Sequence, residues 1–434
     1  MLNQFVLKQI NDIKKNSSKI LWHKLILGFK FIYIKIIFLP FYLIAILFVI
    51  LIRLLKPILL IRIGFLISSR IGHFAGNTEL YLCEKDFGIN VPNARYYDIF
   101  YFRYKPISNT FLAKKIKKLI PIYPRYILEP IFYLNRLIPG FRKFEVGQNT
   151  LNDRDVMNLL DKSKIHLKFT EAEIEYGDTI LEILGIPKNS KIVCLLVRDS
   201  SYLYMKFGPG YEYHNYRDCN VNNYMKAAEE LSKLGYYIVR MGEVAKDKFN
   251  SINPKIIDYA NNPNRSPFLD IYLGYKCNFA ISTSSGWDAV PSHLFKKPIL
   301  YTNYSPIILI STFSKKYIIT TKKYFDLKTN SYLKFSEIFS RNLFYLTKDQ
   351  DYIDNNIKLI ENTPEELIDA ALEMHYLINN KLSLNEEDQN LQKQFWTQFP
   401  NNFKTPYFQK KSLHGQIKAI ISPSFLRNNK NLIY

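Results

Sequence analysis

The chain has 434 residues, of which 47% are hydrophobic, so a largely disordered protein is excluded and two or more domains are expected. Its 59 lysines and arginines outnumber its 38 aspartates and glutamates, which gives a net charge of +21. Such a charge suits nucleic acid, anionic lipid or phosphorylated substrates. Part of the excess also fits the general richness in Lys, Asn, Ile and Tyr that A/T-rich codons produce.

The four cysteines lie far apart and form no C-x-x-C pair, so neither a zinc site nor a disulfide framework is expected. Cys194 and Cys277 fall in or beside apolar runs, which predicts free, buried thiols in a reducing compartment.

Residues 1–56 have the pattern of a membrane anchor. Residues 1–35 contain seven lysines and one acid, Asp12, with apolar residues at helical spacing, as in a basic amphipathic helix on an anionic membrane surface. The next 17 residues, Ile36 to Ile52, carry no charge and would measure about 26 Å as a helix, which is marginal for a membrane span. No small-residue cleavage site follows, so a removed signal peptide is not predicted.

Both flanks of this apolar segment are basic, because the first acid after it is Glu79. The positive-inside rule therefore places both ends in the cytoplasm, and Pro40 can bend the segment into a re-entrant hairpin. We expect attachment to the cytoplasmic face of a membrane, with a monotopic anchor fitting better than a clean span.

After residue 57 the sequence becomes globular, and strand patterns alternate with helix patterns of about a dozen residues, which indicates an α/β fold with parallel sheets. Two Rossmann-like domains are predicted behind the N-terminal helical membrane segment. The predicted boundaries are 1–56 for the anchor, 57–175 for a first domain, 176–350 for a second domain, and 351–434 for C-terminal helices and a tail.

The segment Asn278 to Asn303 reads as strand, hydroxyl-rich turn, helix and strand. A helix that starts after Gly286 would point backbone N–H groups and its positive end into the turn, as a phosphate-binding loop does. An ordinary N-cap turn is the alternative. The predicted phosphate-binding residues here are Ser282, Thr283, Ser284, Ser285, Gly286 and Asp288.

Two arginine clusters follow predicted strand ends in the second half. Arg198 and Arg217 can grip phosphate oxygens in a forked geometry, with Asp199 or Asp218 orienting the guanidinium. Ordinary surface Arg–Asp pairs are the alternative. The neighbouring polar residues assigned to the same site are Ser200, Tyr202 and His214.

In the first half, a glycine-rich segment after a predicted strand suggests close backbone approach to a ligand. We predict an acceptor-side loop with Arg70, Gly72, Gly76 and Asn77, and His73 within it as the general base for an acceptor hydroxyl. A structural histidine is the alternative. The carboxylate candidates for the same role are Glu79 and Asp98.

Three segments carry a resemblance: residues 70–82 (RIGHFAGNTELYL), 197–218 (from VRDSSY to HNYRD) and 282–291 (STSSGWDAVP). Together they resemble a bacterial glycosyltransferase family associated with surface polysaccharide synthesis, over about Leu60 to nearly the C-terminus. The family is similar in outline to GT-B enzymes, which include heptosyltransferases and fucosyltransferases. Leu196 stands where the family pattern has His, which removes one possible donor contact.

The resemblance implies two Rossmann-like domains facing a cleft, with a nucleotide-sugar bound by the second and a glycan or lipid-linked acceptor by the first. It implies metal-independent transfer and no cofactor apart from the nucleotide-sugar substrate. We therefore expect a membrane-associated glycosyltransferase.

Two alternatives remain open at this point. One is a nucleotide-sugar epimerase of the same fold, which would need no membrane anchor. The other is a non-catalytic basic binding protein. Recognition of nucleic acid is not expected, because no RNA- or DNA-binding motif is visible and the lysines are spread along the chain.

Overall fold

A computed structural model describes residues 41–146, 155–208, 210–310, 314–400 and 415–434. The predicted amphipathic helix in residues 1–35 and the bend at Pro40 lie outside the described residues. The strands are β1 Leu60–Leu66, β2 Tyr96–Phe102, β3 Lys191–Leu196, β4 Tyr236–Arg240, β5 Ile256–Ile257, β6 Phe279–Ser282, β7 Ile299–Tyr304, β8 Tyr317–Thr321, β9 Lys323–Asp326, β10 Ser331–Tyr332, β11 Ile357–Ile360 and β12 Ile420–Ile421.

The helices begin with α1, which covers residues 41–55. The others are α2 Ile71–Asp86, α3 Thr110–Leu119, α4 Arg125–Asn135, α5 Glu171–Ile183, α6 Ser201–Phe207, α7 Met225–Lys233, α8 Pro267–Lys276, α9 Phe335–Ser340, α10 Asp349–Asp354, α11 Pro364–Ile378, α12 Glu386–Gln398 and α13 Pro423–Asn428. Short 3-10 helices at Glu212–Arg217 and Gly286–Asp288 and a π-helix at Val290–Leu294 lie close to the site described below.

A seven-stranded sheet in the order β12-β8-β7-β6-β3-β4-β5 forms the centre of the fold, and all of its recorded pairings are parallel. After β3, the strands β4 and β5 are added on one side of the sheet. The chain then crosses back, and β6, β7 and β8 are added on the other side of β3. The strand order therefore reverses between β3 and β6. Open α/β sheets bind ligands at such a point, beside the carboxyl ends of the strands.

Both faces of this sheet are covered by apolar packing, as the alternation of side chains along a strand requires. Val193 and Leu195 of β3 belong to the cluster that contains α7 and α11, whereas Ile192 and Cys194 belong to the cluster that contains α5, α8 and α12. The continuous apolar runs in the sequence are explained by this burial on two faces.

The predicted parallel α/β architecture is confirmed by the seven-stranded sheet. Cys194 and Cys277 are free and buried, as expected, and Cys83 and Cys219 are free and buried as well.

Two local predictions are wrong. The predicted glycine-rich loop at residues 70–77 is helical from Ile71 onward. The predicted helix after Gly286 is instead a 3-10 segment of 3 residues followed by a π-helix of 5 residues.

The described residues divide into two compact units. The smaller unit comprises the described residues up to Phe65 with Pro92–Arg103 and Pro121–Val146, and the larger unit comprises the rest. The segments Leu66–Val91 and Tyr104–Ile120 thus belong to the larger unit. The boundaries predicted from the sequence stay a prediction.

The smaller unit contains the strands β1 and β2, extended by parallel bridges from Ile63 to Glu145 and from Phe100 to Ile122. Its helix α1 buries Ala45, Val49 and Ile52 and exposes a stripe of leucines and isoleucines on the opposite side. None of the helices in the described ranges combines the length and apolar character needed to cross a bilayer.

Candidate functional site

A cavity of about 410 Å³ lies in the larger unit at the carboxyl ends of β3, β4, β6 and β7, where the strand order reverses. Its size is in the range of small-molecule binding sites. The segments that line it follow those strands or begin α2. Its charged lining residues are Arg70, Arg198, Arg217, Arg240, Arg265, Asp199, Glu243, Asp270 and Asp288, with His73, His214 and His293.

Arg198 follows β3 and is only 8% exposed. Its backbone N–H donates to Thr283 Oγ1 at 2.9 Å, and its Nη1 donates to the His214 carbonyl at 3.0 Å and to an Asp218 carboxylate oxygen. Its Nη2 is buried and has no hydrogen-bond partner among the described residues. Asp218 is thus the carboxylate that orients Arg198, and the guanidinium keeps one donor for a ligand.

Arg217 ends the 3-10 helix that carries His214, and its Nη2 donates to the Ser284 carbonyl. Its Nε is also buried, and the described part of the chain offers it no hydrogen-bond partner. Ser284 adopts a left-handed backbone conformation with φ of 59°, which turns the loop after β6 at this point. The two predicted arginines therefore converge on one cavity, each with a donor to spare.

The remaining predicted donor-site residues divide into lining and supporting groups. Asp199 lines the cavity, but its carboxylate accepts from the backbone N–H groups of Ser201 and Lys246 and does not hold an arginine. Ser282 and Thr283 are buried and do not line the cavity, but they hydrogen-bond to Asp288 and to the Arg198 backbone, respectively. The other predicted residues that line the cavity are Tyr202, His214, Ser284, Ser285, Gly286 and Asp288. Ser200 does not line it.

Gly72 and Gly286, which were expected to approach a ligand, approach each other. A Cβ on Gly72 would lie 2.9 Å from both the Cα and the carbonyl oxygen of Gly286. A Cβ on Gly286 would lie 3.2 Å from the Gly72 nitrogen. The two glycine-containing motifs are therefore needed for direct backbone packing of α2 on the loop after β6.

Helix α2 places His73 and Gly76 on the cavity wall. The predicted contact residue Arg70 is its N-cap and also lines the cavity. Gly76 faces the ring of His293, and a Cβ on Gly76 would lie 3.5 Å from His293 Cδ2. Asn77 is completely buried and does not line the cavity.

The two carboxylates considered as alternatives to His73 do not reach the cavity. Both oxygens of Asp98 accept from Arg62 at 2.7 Å in a buried pair within the smaller unit. Glu79 is completely buried on α2, where its Oε1 accepts from Lys296 Nζ at 2.8 Å and contacts His166 Nδ1 at 3.0 Å. His73 is the candidate base that the structure leaves at the cavity.

Glu79, Cys83 and His166 come close enough to be considered as metal ligands. However, burial raises the pKa of the Cys83 thiol to about 12, so this side chain is a neutral thiol near neutral pH. The Lys296 ammonium also shares the carboxylate oxygen of Glu79. We interpret this group as a paired polar cluster in the core.

The sequence analysis missed several lining residues, of which Arg240 and Arg265 matter most. Arg240 is 2% exposed and pairs with Asp258 at 3.0 Å. Within the described ranges its Nε has no hydrogen-bond partner. Arg265 pairs with Asp270 at 2.7 Å and donates to the Gly242 carbonyl at 2.8 Å. Arg240 could have been found, because it ends the apolar run that forms β4, and the carboxyl ends of β4 and β3 lie at the same edge of the sheet.

The electrostatic balance of the cavity is positive. Burial and the charges of Arg217, Arg198 and Arg70 lower the pKa of His214 to about 4, so this ring is neutral at pH 7. Burial raises the pKa of Asp270 to about 6 and that of Asp288 to about 7, which weakens the counter-charge that the carboxylates supply. The arrangement can bind an anion and stabilise negative charge on a leaving group.

No protein-family model and no curated protein sequence matches this chain. Among solved structures, the ADP-heptose LPS heptosyltransferase II of E. coli aligns with 13% identity and a TM-score of 0.40, covering 74% of this chain and 100% of that one. A glycosyl transferase family 9 structure from Veillonella parvula aligns with 13% identity and a TM-score of 0.37, covering 74% and 97%.

A third structure, an E. coli heptosyltransferase with ADP-2-deoxy-2-fluoro heptose, has 8% identity, a TM-score of 0.29, and coverage of 60% and 93%. Likenesses of this strength identify neither an activity nor a substrate.

The glycine contact predicts opposite results for two alanine substitutions in one helix. Gly72→Ala should lower the free energy of unfolding by about 1–3 kcal/mol, because its Cβ would overlap the Gly286 backbone. Gly76→Ala should be neutral or stabilising by up to about 1 kcal/mol, because its Cβ meets only an ordinary contact and alanine favours helix. Urea unfolding of both variants checks this, and equal tolerance of both would contradict the packing role of Gly72.

The depressed pKa of His214 predicts a pH-dependent stability. An unfolded histidine titrates near pH 6.5, so the unfolded chain binds more protons than the folded chain between about pH 6.5 and pH 4. His214 therefore contributes a loss of stability as the pH falls through this window. His214→Gln should remove that loss, so its melting temperature relative to wild type should be higher at pH 5 than at pH 7.5.

His166 serves as a control, because its contribution to stability should depend on pH in the opposite direction to that of His214. Burial alone would lower its pKa, but hydrogen bonds and charge from Glu79 and Asp86 raise it above the ordinary value. Its stabilising contribution is complete at acid pH and is lost as the pH rises through the folded pKa. His166→Gln should therefore destabilise more at pH 5 than at pH 8, and the same pH trend in both variants would contradict the assignment.

Proposed function

We propose that the protein is a glycosyltransferase with a GT-B-like arrangement of two domains, which moves a sugar from a nucleotide-sugar to a glycan or lipid-linked acceptor in bacterial surface polysaccharide synthesis. The observation that carries this proposal is the pair of arginines that line a cavity where the strand order reverses, the buried Arg198 and the half-buried Arg217. Each has one buried guanidinium nitrogen for which the described residues offer no hydrogen-bond partner. Buried polar groups in proteins are normally hydrogen-bonded, so these donors indicate an anionic ligand.

The chemistry needs a group that stabilises the leaving diphosphate and a group that takes a proton from the acceptor hydroxyl. Arg198 and Arg217 supply fixed positive charge for the oxygen on which negative charge develops as the sugar–phosphate bond breaks. His73, on the cavity wall in the first turn of α2, accepts the proton of the attacking hydroxyl as the new glycosidic bond forms.

The proposal includes attachment of the smaller unit to the cytoplasmic face of the inner membrane. Leu47 and Leu54 on α1 are 69% and 71% exposed, and the exposed residues Leu43 and Ile50 continue their stripe. A row of exposed leucines and isoleucines is unfavourable in water, and anionic lipid complements the basic residues that precede this helix in the sequence.

Mutations on the two sides of the cavity should separate donor binding from catalysis. Arg217→Gln should weaken nucleotide-sugar binding by about 1.5–3 kcal/mol, the scale of a lost charged hydrogen bond. His73→Ala should leave donor affinity nearly unchanged and lower turnover by roughly 10² to 10⁴. Calorimetry and product analysis against a panel of UDP-, GDP- and CMP-sugars provide the measurements.

Arg341→Gln is the matched control, because Arg341 is paired with Asp326 and is not a lining residue. Unchanged donor affinity in Arg217→Gln, or an equal loss in Arg341→Gln, would contradict the donor-site assignment. Conversion of the donor sugar to an epimer without an acceptor would instead favour an epimerase.

Membrane attachment is tested by changing the exposed leucines of α1 and leaving its buried side unaltered. The triple substitution of Leu43, Leu47 and Leu54 by Gln should lower binding to phosphatidylglycerol-containing vesicles by about tenfold or more, because each leucine loses its burial in lipid. The control replaces the similarly exposed Ile183, Leu327 and Ile353 of the larger unit by Gln. Equal sedimentation of both triple variants with vesicles would contradict the role of α1.

A further inference from the structure

The turn that follows α4 in the smaller unit, residues 136–143, exposes apolar side chains to solvent. We call these residues the α4 turn. Leu137 is 79% exposed, and Ile138 beside it is also exposed. Single exposed leucines are common on protein surfaces, so the residues around the α4 turn decide whether it belongs to a larger apolar surface.

Arg53, in the last turn of α1, holds the α4 turn in place. Its Nε donates to Asn135 Oδ1 at 2.9 Å. Its other guanidinium nitrogens donate to the carbonyl oxygens of Asn135, Ile138 and Pro139 at 3.1–3.3 Å. Because these hydrogen bonds join the two segments, the exposed Leu54, which follows Arg53, lies close to the exposed apolar residues of the α4 turn. The α4 turn therefore extends the apolar stripe of α1.

Helix α4 also contacts α1 near the starts of the two helices. There the rings of Phe41 and Tyr126 have centroids 5.2 Å apart. Tyr126 and Ile127, in the first turn of α4, are exposed. Exposed apolar side chains thus occur at both ends of this helix pair. A surface of this kind is unfavourable in water and indicates an apolar partner.

The same surface carries positive charge. The acids of the described smaller unit are each paired with an arginine, and they are Asp98, Glu129 and Glu145. Arg142 and Lys143 of the α4 turn and Lys56 after α1 are exposed, and among the described residues none of the three pairs with a carboxylate. An apolar surface bordered by basic residues complements an anionic lipid bilayer.

We propose that the α4 turn is a second membrane contact, in which Leu137 and Ile138 enter the boundary between lipid head groups and acyl chains while Arg142 and Lys143 bind anionic head groups. The inference rests on the membrane attachment of α1 in the proposed function and goes beyond it. A second contact fixes the orientation of the smaller unit on the bilayer, whereas one helix leaves the rotation about its axis undetermined. An anionic bilayer fits this surface better than a second copy of the chain, because two copies would bring like charges together.

An environment-sensitive fluorophore on single cysteine substitutions in the full chain tests the contact position by position. The four natural cysteines are buried, so a cysteine on the surface reacts selectively. Leu137→Cys reports on the α4 turn, Leu47→Cys on α1, and Ile252→Cys on a fully exposed position of the larger unit. On vesicles of phosphatidylglycerol and phosphatidylcholine, the emission at positions 137 and 47 should rise about twofold or more and shift to shorter wavelength, because both labels enter a less polar environment. The label at position 252 should not respond.

The three labels separate this inference from the proposed function. If the label at position 47 responds but the label at position 137 behaves like the one at position 252, the contact of the α4 turn is wrong and attachment through α1 remains. If neither responds, the attachment of the smaller unit in the proposed function is contradicted as well. If the label at position 137 responds to higher protein concentration without vesicles, a second copy covers the α4 turn, and the membrane contact is overturned.

The double substitution Arg142→Gln with Lys143→Gln tests the basic part of the α4 turn. This variant should bind vesicles that contain phosphatidylglycerol about tenfold more weakly at physiological ionic strength, because two charges that attract the anionic surface are lost. Its binding to pure phosphatidylcholine vesicles should be unchanged. The control replaces the exposed Lys328 and Lys358 of the larger unit by Gln. Equal losses in the two double variants, or no loss in either, would overturn the role of the α4 turn.

Discussion

The backbone contact between Gly72 and Gly286 is the constraint on which the candidate site depends. It brings the start of α2, which follows β1 in the chain, against the loop that follows β6. The same loop accepts a hydrogen bond from Arg217, and Thr283 at its beginning accepts one from the Arg198 backbone. A side chain at either glycine would disturb the backbone positions on which both arginines rely.

The cavity beside this contact keeps its positive charge partly unneutralised. Asp218 and Asp258 fix the arginines Arg198 and Arg240, but one nitrogen of each guanidinium has no hydrogen-bond partner in the part of the chain that the structure describes. A resting protein gains little from such groups, because a buried unpaired donor costs about 1–3 kcal/mol. The unpaired donors are accounted for if a ligand supplies their acceptors. Burial and the nearby arginine charges also lower the pKa of His214, which is consistent with a cavity of positive charge.

Much of the fold could be predicted because its physical signals are local. Short apolar runs bounded by turn residues indicated the parallel strands, and residues that follow such strands meet at one edge of the sheet, which brought Arg198 and Arg217 together. The glycines of α2 were misinterpreted because Gly72 and Gly76 resemble a turn locally. Their spacing of four places them on one helix face, where they pack on Gly286 and His293.

Other features depend on partners distant in sequence and carry no local signal. Glu79 is paired with Lys296, which lies 217 residues later. The residues next to Glu79 in the sequence therefore could not show that its carboxylate lies away from the cavity. Arg265 lies between predicted elements, and its place on the cavity wall follows from its bond to the Gly242 carbonyl after β4. The depressed pKa of His214 likewise arises from burial and from Arg217, Arg198 and Arg70 acting together.

The central claim is that the arginine-lined cavity holds a diphosphate, and titration calorimetry of the intact protein with matched nucleotides tests it most directly. UDP and GDP should bind more tightly than CMP, because a diphosphate offers more negative charge and more acceptor oxygens to the two guanidinium groups than a monophosphate does. Uridine, guanosine and cytidine should not bind measurably, because they carry no phosphate. Nucleosides that bind as tightly as their diphosphates, or no binding by any diphosphate, would contradict the account.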